Sequence, residues 1–279
     1  MGGRIDNSWS LIKASAAVLR KDRELMVFPV VSMIASIVLM VAFALPMFIS
    51  GAFEAIGDGN RVLGYIVGFL FYVCQYTIIF FCNTALVGAA MIRLRGGDPN
   101  VGDGFRIARE RAGTILGYAL IAATVGMVLN MISERVGFLG KIIVSLIGFA
   151  WNVATFLVVP VLVVENVGPT DAIKRSGQLL KQTWGEQVIG NAGMGLAFGL
   201  LTFALIMVGV GVIMAAASLG SMVLLFGTIA AVVLAVVALG LVASALTGIY
   251  TAAVYNYAMT GQAGDEFSMD LVQNAFRAK

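Results

Sequence analysis

Six long stretches of this sequence contain no charged residue, and all eighteen Lys and Arg and all fifteen Asp and Glu residues lie between or beside them. The longest charge-free run extends from residue 187 to residue 264. Soluble domains average about 25% charged residues, whereas this chain has 12% and is 60% hydrophobic. About 20 apolar residues suffice to cross the hydrocarbon layer of a bilayer. The sequence therefore predicts an integral membrane protein.

The same stretches predict an all-α polytopic fold with six transmembrane helices. Helices are favoured because lipid offers no hydrogen-bond partner to a backbone amide, and a β-barrel would instead show alternating segments of about ten residues. Pro160 lies near the end of the fourth stretch and predicts a kink or a helix end there. The predicted spans cover residues 25–50, 62–92, 112–132, 142–164, 187–218 and 222–258.

The positive residues are distributed unevenly over the connections between these spans. Lys and Arg number 5, 1, 5, 2, 3, 0 and 2 in the N-terminal segment, the five loops and the C-terminal tail, so alternate connections hold fifteen of the eighteen. Cytoplasmic loops of membrane proteins carry an excess of Lys and Arg. We therefore expect both termini, including a tail at residues 261–279, in the cytoplasm.

Each predicted cytoplasmic segment ahead of a pair of spans has the periodicity of a short amphipathic helix. The second segment follows Pro99 with Asp103 as its predicted cap, and the third follows Pro169 with Thr170 or Asp171 as its cap. The apolar positions are Trp9, Ile12, Ala16 and Leu19 in the first segment, Phe105, Ala108 and Ala112 in the second, and Ile173, Ser176, Leu180 and Trp184 in the third.

These segments predict three interfacial helices that lie in the headgroup layer with their apolar sides toward lipid. Their cations are expected to bind anionic lipids. A nucleic acid is not an expected partner, because the basic residues are dispersed among acidic ones. Trp9 and Trp184 are expected to anchor the helices at the interface. The predicted headgroup-binding residues are Lys13, Arg106, Arg109, Lys174, Arg175 and Lys181.

One amphipathic segment and two spans follow one another three times within a single membrane domain of residues 1–279. The corresponding units cover residues 7–95, 99–166 and 169–260, and the last two align at Asp103 and Asp171. The sequence therefore predicts a threefold internal repeat. The alternative is that any six-span protein has three inner segments, which are ordinarily basic.

Neutral polar and small residues within the spans have more than one interpretation. Gln75, Asn83 and Asn152 could line a polar cavity, or they could form hydrogen bonds between helices. In the fifth span, Gly195-x-x-x-Gly199 is a small-residue pattern that lets helices approach closely. It predicts packing within the subunit, with an oligomer contact or a discontinuous helix as the alternatives.

Catalytic groups are scarce at the depth of the membrane. The chain has no histidine, which removes the commonest general base and the usual ligand of haem and catalytic zinc. The spans also lack the ionisable residues that mark proton-coupled transport. We therefore expect no catalytic residue, no metal site and no cofactor, in a protein that is not an enzyme.

Several short segments carry a resemblance to known membrane proteins. The chain resembles a family of bacterial six-span proteins in residues 7–15 (NSWSLIKAS), 18–29 (VLRKDRELMVFP), 255–258 (YNYA) and 270–279 (DLVQNAFRAK). Residues 172–185 (AIKRSGQLLKQTWG) are similar to the membrane-domain repeats of YciC-like proteins and to the membrane region of some glycerophosphodiester phosphodiesterases. The resemblance implies a helical protein of the bacterial cytoplasmic membrane. It implies no enzyme activity, because the phosphodiesterase chemistry belongs to a separate soluble domain.

Two functions follow from these features as expectations. The first is a non-enzymatic membrane protein that acts as a scaffold, a lipid-interacting element or an accessory subunit, in a homo-oligomer or a larger membrane complex. The uncharged spans and the basic segments beside them favour it. The alternative is a transporter or channel for a neutral or lipid-like solute, which requires a cavity between the spans.

Overall fold

The structure, a computed structural model, describes residues 2–51, 61–184 and 193–262, together with Gly264, Phe267 and Val272. A short 3-10 helix at Arg23–Met26 joins the first two α-helices. In chain order the α-helices are α1 (Gly2–Lys21), α2 (Val27–Ile49), α3 (Arg61–Leu94), α4 (Val101–Glu110), α5 (Ala112–Arg135), α6 (Phe138–Ala154), α7 (Val158–Val164), α8 (Pro169–Trp184), α9 (Gly193–Ser218) and α10 (Met222–Thr260).

Six helical segments are long and apolar enough to cross a membrane, with mean hydropathy between 1.9 and 2.9. They are α2, α3, α5, α6 continued by α7, α9 and α10, which confirms the predicted all-α fold with six spans. The observed boundaries lie within a few residues of the predicted ones, except in the fifth span. Its predicted start at residue 187 lies outside the described residues, and the described helix begins at Gly193.

The buried core lies at one end of the helix bundle. It includes almost every residue from Ala85 to Leu94 in α3 and from Ala245 to Asn256 in α10. With 34 and 39 residues, these helices are about 51 and 58 Å long, against a hydrocarbon layer of about 30 Å. We name this end, which also holds α1, α4 and α8, the basic end, because most of the described Lys and Arg residues lie there.

Away from the basic end, the spans expose most of their apolar surface. No residue in the most apolar eighteen-residue window of α10 is buried, and only 11–28% of the corresponding windows of the other spans are. Exposed apolar surface of this extent would be unfavourable in water. It matches the environment that lipid tails provide around a membrane span.

Helices α1 and α8 pack their apolar sides on the bundle. Leu11, Ser15 and Val18 of α1 are buried where it contacts α9 and α10, and Ala172 and Leu179 of α8 are buried where it contacts α6 and α7. This corrects the expectation that the apolar sides face lipid. The same amphipathic pattern suits a helix on a protein surface and a helix on a membrane, so the sequence alone could not distinguish them.

Helix α4 lies across α3 at a close approach that requires glycine. A Cβ atom on Gly104 would lie 2.4 Å from Cζ of Phe28 and 2.7 Å from the carbonyl oxygen of Ala85. On the facing helix, a Cβ atom on Gly88 would lie 3.0 Å from Cδ1 of Ile107. The two glycines therefore let α4 contact the backbone of α3 directly.

Two predicted helix caps are corrected by the structure. Asn100 caps α4: its side-chain oxygen accepts a hydrogen bond from the Asp103 amide at 3.0 Å, and the Asp103 carboxylate accepts one from the Asn100 amide at 3.2 Å. This reciprocal pair is a capping box. Helix α8 begins at Pro169, so Thr170 and Asp171 lie in its first turn. Proline suits that position because the first amides of a helix have no partner within it.

An ion pair joins the entry of the first span to the end of the second. Nε of Arg93 donates a hydrogen bond to Oδ2 of Asp22 at 2.8 Å, and the Asp22 side chain is only 7% exposed. The same guanidinium contacts Asp98, which is 92% exposed. Beside them, the Val101 amide donates to the Glu24 carboxylate at 3.1 Å. These contacts hold α3 and α4 against the segment that leads into α2.

A short helix followed by two long helical segments occurs three times along the chain. The groups are α1–α2–α3, α4–α5–α6 with α7, and α8–α9–α10. The predicted units cover residues 7–95, 99–166 and 169–260. The threefold repeat itself stays a prediction.

Candidate ligand-binding site

A partly enclosed cavity of about 410 Å³ lies between α3, α5, α6, α7 and α10. Along α5 it extends from Tyr118 to Leu129, about 16 Å of a helix that is apolar and long enough to cross a membrane. The cavity therefore lies at the depth of the bilayer, beside the core of the basic end. Its lining residues are Tyr76, Phe80, Asn83, Tyr118, Ala122, Val125, Gly126, Leu129, Gly148, Trp151, Asn152, Thr155, Phe156, Val159, Thr247 and Thr251.

A break in the fourth span shapes one wall of this cavity. Helix α6 ends at Ala154 and α7 starts at Val158, with Pro160 in the first turn of α7. A proline clashes with the carbonyl group four residues earlier and so interrupts a continuous helix, as the sequence predicts. The Leu157 amide donates instead to the buried hydroxyl of Ser176 at 3.0 Å. Thr155 and Phe156 lie in this break between α6 and α7, and both line the cavity.

Two of the three residues predicted to form a polar cavity lie in this wall. Asn83 of α3 and Asn152 of α6 both line the cavity, and neither side-chain amide has a hydrogen-bond partner among the described residues. Gln75 does not line it. Its Nε2 atom donates to the Ser36 hydroxyl of α2 at 2.8 Å. Gln75 therefore forms a hydrogen bond between helices, which was the alternative to lining a cavity.

Aromatic rings form a continuous surface next to the two asparagines. The rings of Tyr76 and Phe80 stack with centroids 5.5 Å apart and planes 13° apart, and Phe80 lies 4.5 Å from Tyr118. Trp151 of α6 and Phe156 contribute two more rings. The cavity therefore combines amides with flat apolar faces.

The hydroxyl groups of the cavity are largely used within their own helices. Thr155, Thr247 and Thr251 each donate to the carbonyl four residues earlier, at 2.7–2.8 Å. These hydroxyls then offer only lone pairs to a ligand. No Lys, Arg, Asp or Glu is among the lining residues. The arrangement can hydrogen-bond and enclose a molecule, but it offers no strong acid, base or counter-ion.

Several lining residues were missed by the prediction from sequence, which named only the three amides as possible cavity residues. Tyr76, Phe80 and Asn83 follow one another at spacings of four and three, and Thr247 and Thr251 are four apart. Such spacings place side chains on one face of a helix. A search for polar and aromatic residues that share a face within a span would have found this wall.

Comparison with known protein families identifies the family of this chain. Residues 62–267 match DUF6159, a family of unknown function. The chain belongs to this family. All the cavity-lining residues lie within the matched range. A comparison with curated proteins gives no match, so the resemblance to YciC-like proteins stays a prediction.

The predicted headgroup-binding residues of this DUF6159 protein have different surroundings. Lys13, Arg106, Arg109, Lys174 and Lys181 are exposed at the basic end. Two of them have an acidic residue three positions earlier on the same helix: Arg106 contacts Asp103 at 3.1 Å and Lys174 contacts Asp171 at 3.3 Å. Pairs of this kind on a helix surface contribute little to stability, so these cations stay accessible to an anionic surface.

Arg175, also predicted to bind headgroups, forms an ion pair within the protein. Its Nε atom lies 3.1 and 3.2 Å from the two carboxylate oxygens of Glu165, and the same carboxylate accepts a hydrogen bond from the Tyr255 hydroxyl at 3.1 Å. Tyr255 is fully buried. Arg175 therefore connects α8 to α10 within the protein.

The predicted interface anchors, Trp9 and Trp184, and the predicted packing glycines, Gly195 and Gly199, lie on α1, α8 and α9. Trp9 is 51% exposed, with Nζ of Lys13 5.7 Å from its ring centre, and Trp184 ends α8 with its side chain outside the described part. A Cβ atom on Gly199 would meet no atom within 4 Å, so no described helix packs closely there. Gly195 lies in the first turn of α9.

Helices α9 and α10 enclose a second, more open hollow of about 490 Å³. It is lined almost entirely by Val, Leu, Gly and Ala, with Thr228 as its polar residue. The Thr228 hydroxyl donates to the carbonyl of Leu224 at 2.7 Å. This hollow therefore presents no polar group in need of a ligand, and the cavity beside α5 is the better candidate site.

Proposed function

We propose that this DUF6159 protein is a non-enzymatic membrane protein that binds an uncharged, amphipathic molecule of the bilayer in the cavity between α3, α5, α6 and α10. The observation that carries the proposal is the pair Asn83 and Asn152. Asn83 is half-buried and Asn152 is exposed, and their amides line one cavity at bilayer depth without a hydrogen-bond partner among the described residues. An amide without a hydrogen-bond partner in the hydrocarbon layer is unfavourable, because lipid tails offer neither a donor nor an acceptor. A ligand that hydrogen-bonds to the amides would remove that cost.

The chemistry of the lining supports binding rather than catalysis. General acid–base chemistry needs a titratable group within hydrogen-bond reach of the reacting atom, and the lining has neither a carboxylate nor an amine. Tyrosine hydroxyls are its most acidic groups, and they are weak acids. The proposed role is therefore that of a lipid-interacting element.

The distribution of charge supports a location and an orientation for this role. The excess of Lys and Arg on alternate connections favours the bacterial cytoplasmic membrane with both termini in the cytoplasm. There the exposed cations, among them Lys13, Arg109 and Lys181, would meet the anionic headgroups of the inner leaflet. The open surface at Gly199 would suit a second membrane helix, which is consistent with an accessory role in a homo-oligomer or a larger complex.

The decisive experiment is purification in polymer-bounded native membrane discs, followed by mass spectrometry of every lipid that stays bound. We expect a neutral amphipathic lipid at near one copy per chain, above its share of the bulk membrane. The double variant Asn83→Leu with Asn152→Leu should lose it. Gln75→Leu is the matched control, because Gln75 lies in the same helix but bonds to Ser36.

Two results would count against the proposal. One is a lipid profile of the purified protein that equals that of the surrounding membrane. The other is a bound neutral lipid that the double variant retains as well as the native chain does. The same lipid profile also tests the headgroup proposal, because anionic lipids should be enriched and should fall when Lys13 and Lys181 are changed to Glu.

The partial enclosure of the cavity favours a second candidate, a carrier for a neutral or lipid-like solute. A carrier must expose its site to both sides of the membrane in turn. In a variant with Cys74→Ala and Cys82→Ala, a thiol introduced as Thr155→Cys reports this access. Labelling by an impermeant maleimide from both sides would support the carrier, whereas labelling from one side or neither would support the lipid-binding role.

A further inference from the structure

The absence of charge in the cavity selects against most membrane lipids. A phospholipid headgroup carries a phosphate, and an ion removed from water without a counter-ion pays a large desolvation cost. No lining residue could serve as that counter-ion. The occupant must therefore bring an uncharged head into the cavity.

The aromatic wall selects for a flat head. Tyr76, Phe80 and Tyr118 form a run of stacked and tilted rings, with centroid distances of 5.5 and 4.5 Å, and Trp151 lines the cavity from another helix. Aromatic faces pair best with other planar rings in offset or edge arrangements. A glycerol ester has no ring to offer them.

The polar groups select for acceptor atoms on that ring. The hydroxyls of Thr155, Thr247 and Thr251 already donate to backbone carbonyls. The donors in the lining are then the amides of Asn83 and Asn152, the indole of Trp151 and the hydroxyls of Tyr76 and Tyr118. Two carbonyl oxygens on one ring would accept from two such amides. A cavity of about 410 Å³ is at the small end for a drug-sized ligand, so a long tail would remain in the bilayer.

On these grounds, and resting on the proposed function, we infer that the occupant is a quinone with an apolar side chain. Its ring stacks on Trp151 and packs against the run formed by Tyr76, Phe80 and Tyr118. Its carbonyl oxygens accept from Asn83 and Asn152. The side chain leaves through the open part of the cavity into lipid. The protein holds the quinone without exchanging protons with it, because no carboxylate or amine is among the described residues that line the cavity.

Fluorescence of Trp151 tests the inference directly, because quinones quench a tryptophan that they stack on. The chain has three tryptophans, so the full-length variant with Trp9→Phe and Trp184→Phe keeps only Trp151. It is placed in quinone-free phosphatidylcholine nanodiscs and titrated with decylubiquinone. We expect saturable quenching. A variant that keeps only Trp9 should show the weak, non-saturating quenching of a quinone dissolved in the bilayer.

The asparagine variants make the test specific. Loss of one neutral hydrogen bond should weaken quinone binding about two- to tenfold, in Asn83→Leu and again in Asn152→Leu. Gln75→Leu should bind as the native chain does. Unchanged thermal stability and size-exclusion profiles establish that each variant is folded.

Failure of this inference and failure of the proposed function give different results. Saturable quenching of Trp151 that is weakened by the asparagine variants supports both. If decylubiquinone does not quench Trp151 saturably, while dioleoylglycerol or another neutral lipid is retained through Asn83 and Asn152, the quinone inference is overturned and the lipid-binding role stands. If no neutral lipid is retained and no quenching saturates, both are overturned.

Discussion

The close approach of α4 to α3 gives a sharp prediction at Gly104. In Gly104→Ala the new methyl group would begin 2.4 Å from the Phe28 ring and 2.7 Å from the carbonyl oxygen of Ala85. A ring edge can turn aside, but a helix carbonyl cannot, so α4 must move outward by several tenths of an ångström. Overpacking of this kind costs typically 1–3 kcal/mol. Against this, alanine in place of glycine favours a helix by about 1 kcal/mol.

Gly113→Ala separates these two effects. Gly113 lies in the first turn of α5, and a Cβ atom there would meet nothing within 4 Å. That variant should show only the gain in helix propensity, so the difference between the two variants isolates the packing cost. We expect Gly104→Ala to be less stable than Gly113→Ala by about 1–3 kcal/mol.

The assay is unfolding of the purified protein by sodium dodecyl sulfate in mixed micelles, followed by circular dichroism, with the free energy of unfolding taken from the transition. Equal stability of the two variants would refute the reasoning, because it would mean that α4 does not rest on the α3 backbone at Gly104. Greater stability of Gly104→Ala would refute it equally.

Two further predictions use the same unfolding assay. Asp22→Asn should lower the free energy of unfolding by about 1.5–3 kcal/mol, because the partly buried Arg93 loses a charged hydrogen-bond partner. Asp98→Asn should change it by less than about 1 kcal/mol, because Asp98 is exposed. Equal effects of the two variants would contradict the roles assigned to the two carboxylates. Ser176→Ala should lower the free energy of unfolding by about 1–3 kcal/mol, because it leaves the buried Leu157 amide without an acceptor. Ser176→Thr keeps the hydroxyl and should recover part of that loss. An unchanged free energy of unfolding in Ser176→Ala would show that the amide has another partner.

The number of spans and their approximate ends could be predicted from the sequence, because both are set by the exclusion of charged residues from the bilayer. A bilayer excludes charge over about 30 Å, so the charge-free stretches are the spans. The break near Pro160 was predictable for a similar reason, since proline cannot continue a helix there. Each of these features depends on local composition alone.

The surroundings of the short helices and of the cavity depend on packing, which local composition does not contain. Val18 of α1 is completely buried against other helices, yet its spacing from Leu11 would suit a membrane surface equally well. The helical period could have separated the two amides of α3, Gln75 and Asn83. Asn83 is about 20° from Tyr76 around the axis of α3, but about 80° from Gln75, so Gln75 faces α2 and Asn83 faces the cavity. What the period alone could not show is that α5 and α6 bring Tyr118 and Asn152 to the same place.

The position of the core at the basic end has a mechanical consequence. The spans share a buried core at the basic end, and beyond it most of their surface is exposed. Local opening is easiest where few buried contacts must be broken, so the far ends can separate while the core stays intact. Lipid pressure acts on those same far ends. We therefore expect local opening of the bundle to begin at the far ends of the spans, where the surrounding lipid supplies most of the packing.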